Sequence, residues 1–333
     1  MSTLTSNVVT LSEHAKRLDP NGKIARVIEM LAQTNEILAD MPFMEGNLPT
    51  GHRTTIRTGL PTVAWRLLNQ GVQPSKSRTA QVDEQCGSLE AWSEVDSEIA
   101  QMSGDVNGFR LSESKAFIEA MNIEMAQTVF YGNTGLAQEE FTGLAIRYSS
   151  LSAANAQNII DAGGTGSDNS SIYLVGWGEQ SVMGIYPKGS SIGLQHKDLG
   201  EQVIENVAGI GGARMMGYRE QFKWACGLSV KDWRYVVRIC NIDTSNLVAK
   251  VSAADLIEFM IKACHRIPFM NMCKPVFYMN RTVFEYLDIQ RRDDVQAGGQ
   301  LGYDVVDGKR IATFRGIPIR ICDALLTTEA RVV

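Results

Sequence analysis

The sequence lacks any apolar run close to the 18 or so residues that a membrane-spanning helix needs. Its first twenty residues, MSTLTSNVVTLSEHAKRLDP, hold no apolar segment of the signal-peptide kind. It also lacks a basic excess. Lys and Arg number 32 against 37 Asp and Glu, a net charge of −5, which argues against a dedicated DNA-binding protein with its basic stripe. Paired cysteines are missing too. Six Cys, at 86, 226, 240, 264, 273 and 322, form no C-x-x-C, and their spread suits reduced thiols better than a secreted disulfide frame. Proline is scarce, at 9 of 333 residues, and charge is moderate at 21%, so neither an extended nor a disordered chain is indicated. What remains is a soluble globular chain with no membrane partner, long enough for a sizeable core and roughly two domains.

Catalytic and ligand motifs are equally thin. Gly189-Ser190-Ser191-Ile192-Gly193 fits G-x-S-x-G, but Pro187 precedes it and no helical stripe follows, as a nucleophile elbow requires. Cys264, His265 and Cys273 lack a fourth ligand and zinc-site spacing. In GIGGARMMG (209–217), Arg214 occupies the third glycine position of a dinucleotide fingerprint. Asp293 and Asp294 follow Arg291 and Arg292 and read as a solvated charge run. No catalytic residue, cofactor or metal is expected.

The elements that are present give an α+β order, without the strand–helix alternation of a doubly wound sheet. Residues 1–20 are Ser- and Thr-rich and read as a flexible arm. Asp19-Pro20-Asn21 starts a helix whose stripe is Ile24, Val27, Ile28, Leu31 and Leu38, closed by Pro42. Residues 111–131 form the strongest helix, with Ser112 as cap and Gly132 just beyond its end. Its inward row is Phe117, Met121 and Met125, flanked by Ile118 and Val129. DAGGTGSDNSS (161–171) reads as a surface loop. Strands are expected at SIYLVGW, YREQFKW, WRYVVRICNI and PVFYM. A helix over 252–266 opens on Ser252 and Asp255 and turns Leu256, Ile257, Met260, Ile261 and Cys264 inward. A short helix from Thr282, with Glu285 as its box partner, precedes a closing hairpin, RIATF, Arg315-Gly316, IPIRI.

Residues 46–98 stand apart. From 46 to 78 there are five bases, Arg53, Arg57, Arg66, Lys76 and Arg78, and no acid. From 79 to 98 there are six acids, Asp83, Glu84, Glu90, Glu94, Asp96 and Glu98, and no base. Both halves carry strand-type residues around the turn-rich NQGVQPSKS, which predicts a long hairpin with a basic and an acidic arm. Neither arm has an apolar face along its whole length. A lone hairpin is marginal in water, so this one must lean on the body or on another subunit.

This order of parts resembles the major capsid proteins of tailed bacteriophages, the Hong Kong phage (Johnson) fold, and most of all those of short-tailed phages. Local patterns are similar as well: Gly132-Asn133, then Glu140-Phe141-Thr142-Gly143-Leu144, Phe277-Tyr278-Met279-Asn280-Arg281-Thr282, and Phe314-Arg315-Gly316-Ile317-Pro318 before Asp323-Ala324-Leu325. The resemblance implies an N-terminal arm with helix (1–45), an extended loop (46–98), the spine helix and the start of a peripheral domain (99–150), and interleaved axial and peripheral domains (151–333). It implies a structural, non-enzymatic shell protein whose hexamers and pentamers form an icosahedral capsid around double-stranded DNA, held without sequence specificity. The host bacterial cytoplasm would be the place of assembly and the virion the final location. Implied partners are other copies of the chain, a portal protein and a cement or decoration protein. With the spine helix beginning near 112 there is no room for a fused scaffold, so a separate scaffolding protein, or none, is implied. Intersubunit contacts are expected from Arg53, Arg57, Arg66, Lys76, Arg78, Glu84, Glu90 and Glu94. One family variant welds its shell by an isopeptide from an extended-loop Lys; Lys76 is the only Lys between 24 and 114, and in a turn it reads as a solvated surface residue. Two other readings are an encapsulin-like nanocompartment shell and an unrelated α+β enzyme.

Overall fold

The computed structural model describes residues 33–205, 213–250, 254–293, 301–306 and 309–333, with the side chains of 291–311 outside that description. The expected arm, most of the first helix, Ser252, part of the 209–217 glycine stretch and Asp294 therefore lie outside the described residues. A short helix α1 (Ile37–Asp40) ends one residue before Met41, which turns extended ahead of Pro42 as the proline demands.

One 13-stranded sheet falls into two parts, called here the first and second sheet. The first centres on β8 (Arg214–Val230), a 17-residue strand. It pairs antiparallel with β3 (Arg78–Asp96) from Cys86↔Gly227 to Asp96↔Gly217. On its other edge it pairs with β7 (Leu194–Glu205) and, further along, with β6 (Val182–Tyr186). Strand β1 (Phe43–Glu45) runs parallel to β6. The second sheet runs in the order β4 (Ile159–Asp161), β9 (Val236–Asp243), β5 (Asn169–Trp177), β10 (Lys274–Met279), β13 (Ile317–Ile321), β12 (Lys309–Phe314), β11 (Leu301–Val306). One residue pair, Trp177↔Val182, joins the sheets through β5 and β6. Every residue of β5 is buried, which is why SIYLVGW reads as a continuous run and not an alternation.

The long helix α3 (Val106–Tyr131) lies over β3 and β8. At 26 residues it is about 39 Å long. Its second half feeds Met125, Ala126, Val129 and Phe130 into the main core with β5, β9 and β10. Its first half closes a smaller cluster of Val95, Ala100 and Phe109 with α2 (Ser97–Met102). Four expectations change here. The helix begins five residues early, because the Asp105 side chain accepts from Gly108 N–H at 2.9 Å and Phe109 is buried on Val95 and Ala100. Ser112 is thus interior to the helix, and Asp105 is the cap. Ile118 is exposed rather than inward, and Phe117 is half-buried, stacked on Phe222 with ring centroids 6.0 Å apart. Met121 and Met125 are buried as expected. Gly132 ends the helix with φ −49°, so it is not there for a left-handed turn; a Cβ would sit 2.3 Å from the Phe141 carbonyl.

Elsewhere the expected 161–171 loop shrinks to 162–168, since Asn169, Ser170 and Ser171 open β5 and are buried. They look solvent-facing by residue type, but the C-terminal segment brings Glu329 to them: its backbone N–H donates to Asn169 O, and its Oε2 accepts from Ser171 Oγ at 2.5 Å. That carboxylate also pairs with buried Arg238 at 2.8 Å and accepts from Tyr131 on α3. Trp233–Tyr235 forms a capped 3-10 turn before β9 rather than part of the strand. Helix α6 (Leu256–Cys264), which follows α5 (Thr244–Ala249), is capped by Asp255, which accepts from Glu258 N–H. It buries Leu256, Met260, Ala263 and Cys264, with Ile257 and Ile261 half-buried. Helix α7 (Arg281–Asp293) takes its cap from Asn280, which accepts from Thr282 N–H. The closing hairpin forms as expected, with Arg315 and Gly316 both at positive φ.

Candidate functional site

Among the described residues no group of three or more His, Cys, Asp or Glu is arranged to hold a metal. The feature that calls for a function is a projecting ribbon. Strand β2 (Gly51–Gly59) pairs antiparallel with the first part of β3, from Gly51↔Gln85 to Gly59↔Arg78. At Cys86 the same strand changes partner and enters the body sheet on β8. The projecting part therefore ends at Gln85, not at 98. Beyond Gly59, residues 60–77 carry no strand, so TTIRTGLPTVAW is a strand only as far as Gly59; Pro61 cannot donate to a ladder.

The root of the ribbon is fixed firmly. Arg147, in the short helix α4 (Leu144–Arg147), grips buried Glu84 with two hydrogen bonds, at 2.8 and 2.6 Å. The same guanidinium donates to the carbonyls of Thr142 and Leu228. Asn47 brackets Arg53 by accepting from its N–H at 2.7 Å and donating to its carbonyl at 2.8 Å. Gly51 lets the two strands close, since a Cβ there would lie 1.9 Å from the Glu84 carbonyl. His52 sits in this root with Nδ1 buried and unpaired. Burial, with help from nearby Lys231, holds it below the ordinary histidine range.

The charge split resolves differently from the expectation of two facing arms. Only Arg53 and Asp83 pair across the ribbon, bidentate at 2.6 Å and half-exposed. Glu84 is taken by Arg147. Glu94 pairs with Arg219 at 2.5 Å, and Arg219 lies over the Trp92 ring. Glu90 accepts from Gln221 at 2.5 Å. The acidic half was expected to answer the basic arm or a neighbour; it is instead largely spent inside the subunit, because β3 beyond 85 is a body strand. Arg57, Arg66, Lys76 and Arg78 are exposed on the ribbon and its tip. Arg66 donates to the Gln70 carbonyl, which holds the tip turn.

The tip shows a feature that the charge reading passed over. Leu60, Val63, Trp65, Leu67, Leu68 and Val72 are all exposed, Trp65 fully so (103%) and Leu68 at 92%. A stable monomer does not leave such a group of large apolar side chains in water without a use for it. The signal lies in the sequence as PTVAWRLL, whose first five residues belong to the stretch that reads as strand by residue type.

Comparison with known proteins decides what kind of molecule this is. Residues 19–333 match the family model of major capsid protein GP7. The chain belongs to that family. A solved structure of bacteriophage epsilon15 is similar over 100% of this chain and 99% of that one, with a TM-score of 0.79 and 34% sequence identity. Looser likenesses include Microbacterium phage Oxtober96 (TM-score 0.43, 13% identity, 66% of this chain and 92% of that one). Another is the SrpI encapsulin of Synechococcus elongatus PCC 7942 (TM-score 0.41, 10% identity, 65% and 92%). At those scores neither adds to the assignment. No curated protein matches. This capsid protein is a structural component of a phage shell, and its place is the virion. In a shell protein, the projecting ribbon and its bare tip are the surfaces that most need a neighbour.

Proposed function

We propose that this capsid protein builds an icosahedral shell of hexamers and pentamers around double-stranded DNA, and that residues 51–85 lie across an adjacent subunit. The observation that carries the reading is the tip: six large apolar side chains, four bases on the ribbon and tip besides the paired Arg53, and no acid between 46 and 78. Apolar surface of that extent gains most by burial against protein. Arg57, Arg66, Lys76 and Arg78 then face the neighbour, while Glu84 holds the ribbon root to its own body and Glu90 and Glu94 bond within that body. Residues 1–45 serve as the arm, 99–150 as the spine-helix region, and 151–333 as interleaved axial and peripheral domains, the two sheets being the natural candidates for those domains. A portal, a separate scaffolding protein and a cement protein are the further partners, and assembly takes place in the bacterial cytoplasm. The net charge of −5 keeps packaged DNA from adhering to the wall through counterion release.

The test replaces residues 60–77 by a two-residue Asn-Gly turn, which fits the Gly59↔Arg78 end of the ribbon. The expected product has an unchanged thermal melt and sediments as small oligomers. Closed particles of normal size would overturn the proposal.

A further inference from the structure

We infer that the tip of one subunit docks into a specific slot on another copy, the cleft between α3 and β3 beside the ribbon root, with Trp65 entering it and Arg66 meeting its acidic rim. This rests on the reading of the ribbon as a contact to a neighbour, and names the surface that receives it. The slot has a volume of about 230 Å³. That is below the roughly 300 Å³ at which small-molecule sites begin, and of the order of one large side chain. Its floor is Leu89, Met125 and Phe141, the last two buried. Its rim is Glu124, Glu139 and Glu140; the first two are exposed, and Glu140 accepts from Asn133 N–H. Gly87 lets the 139–141 segment close against β3, since a Cβ there would come within 2.8 Å of the Glu139 carbonyl.

An apolar floor with an acidic rim asks for a ligand with an apolar body and a positive edge. The tip of this same chain has that make-up: Trp65, Leu67 and Leu68 exposed, Arg66 among them, and no acid within reach in sequence. Trp and Arg are the residue types that most often dominate interfaces. The chain cannot fill its own slot. Gly87 is nine residues down β3 from Arg78, where the tip begins, and a paired strand holds those residues about 30 Å apart. The other large groove nearby is a poorer acceptor. It is lined by Arg57, Lys231 and Arg234 along with Glu179 and Asp232, Asp232 is already paired with Arg234, and a basic tip would meet positive charge there.

The test uses the full chain assembled into particles from a mixture of isotopically light and heavy subunits. Ala64→Cys and Ser88→Cys are introduced together, and disulfides formed on oxidation are mapped by mass spectrometry. The expected result is a 64–88 link between light and heavy chains in particles, absent in unassembled subunits. In parallel, Arg66→Glu should raise the protein concentration needed for assembly by about tenfold, and Glu124→Lys with Glu139→Lys should recover most of that loss. Particles that form without a 64–88 link overturn the slot. If a lysine-reactive cross-linker then joins Lys76 to a different part of a neighbouring copy, the slot alone is wrong and the ribbon's role stands. If Lys76 links only within its own chain, both readings fail.

Discussion

At the scale of single residues, the ribbon depends on a few contacts at its root. Glu84 and Arg147 form a largely buried, bidentate pair, and Arg147 also satisfies two carbonyls. Arg147→Ala leaves the Glu84 carboxylate buried without its cation, so it should cost about 3 kcal/mol in denaturant melts, as for other broken buried pairs. Arg53→Ala removes a half-exposed pair with Asp83 and should change the same melt by less than about 1 kcal/mol. An equal cost for the two would show that the root is not where the ribbon is held. His52 adds a pH dependence. Its folded pKa lies below the ordinary 6.5, so between those two values the unfolded chain binds more protons than the folded one. Stability contributed here is fully present above about pH 6.5 and is lost as pH falls through the folded value. Lys231 and Glu84 face the same imidazole with opposite effects, burial being the larger cause. His52→Gln should flatten the slope of stability between about pH 7 and pH 5, and an unchanged slope would place the effect in another group.

At the scale of elements, what could be read from sequence followed from local patterns. The buried strands β5, β9 and β10 announce themselves as apolar runs, the Arg315-Gly316 hairpin by its turn residues, and the C-terminal half of α3 by its 3.6-residue stripe. The misreadings have a common cause, which is a partner far away in the chain. Residues 86–96 look like the second arm of a hairpin until β8, some 130 residues later, is seen to pair with them. VNGFR looks like a loop because Asn107 and Gly108 are poor helix formers, yet burial of Phe109 outweighs that preference. Asn169 to Ser171 look solvated until Glu329 arrives from the C-terminus. The inward face of α3 sharpens into a prediction. Met121 is buried and Phe117 only half so, which reverses the order expected from size. Met121→Ala should cost about 2–4 kcal/mol, and Phe117→Ala about 1–2 kcal/mol because only part of the ring and its stack on Phe222 are lost. A larger loss at Phe117 in chemical denaturation would put the wrong residue in the core.

At the scale of the whole molecule, a well-packed body carries a ribbon tip that it does not cover. The resemblance in sequence was legible because the parts come in order along nearly the whole chain, and the match over residues 19–333 bears it out. The candidate surface was legible only in part. Its charges were visible as a run without acids, but which of them stay inside the subunit depends on β8 and α4, and the exposure of PTVAWRLL depends on the strand stopping at Gly59. Salt should act accordingly. Raising ionic strength screens exposed charges, so it should weaken association through Arg57, Arg66, Lys76 and Arg78 while leaving the melt of the isolated subunit nearly unchanged. A melt that shifts as much as association does would mean that these charges stabilise the subunit itself. The most direct measurement is a single-particle electron cryomicroscopy reconstruction of assembled particles, fine enough to trace the chain. The account predicts density for residues 60–77 of each subunit lying against the body of another, with Trp65 enclosed. A tip that projects into solvent, or folds back on its own subunit, would contradict it.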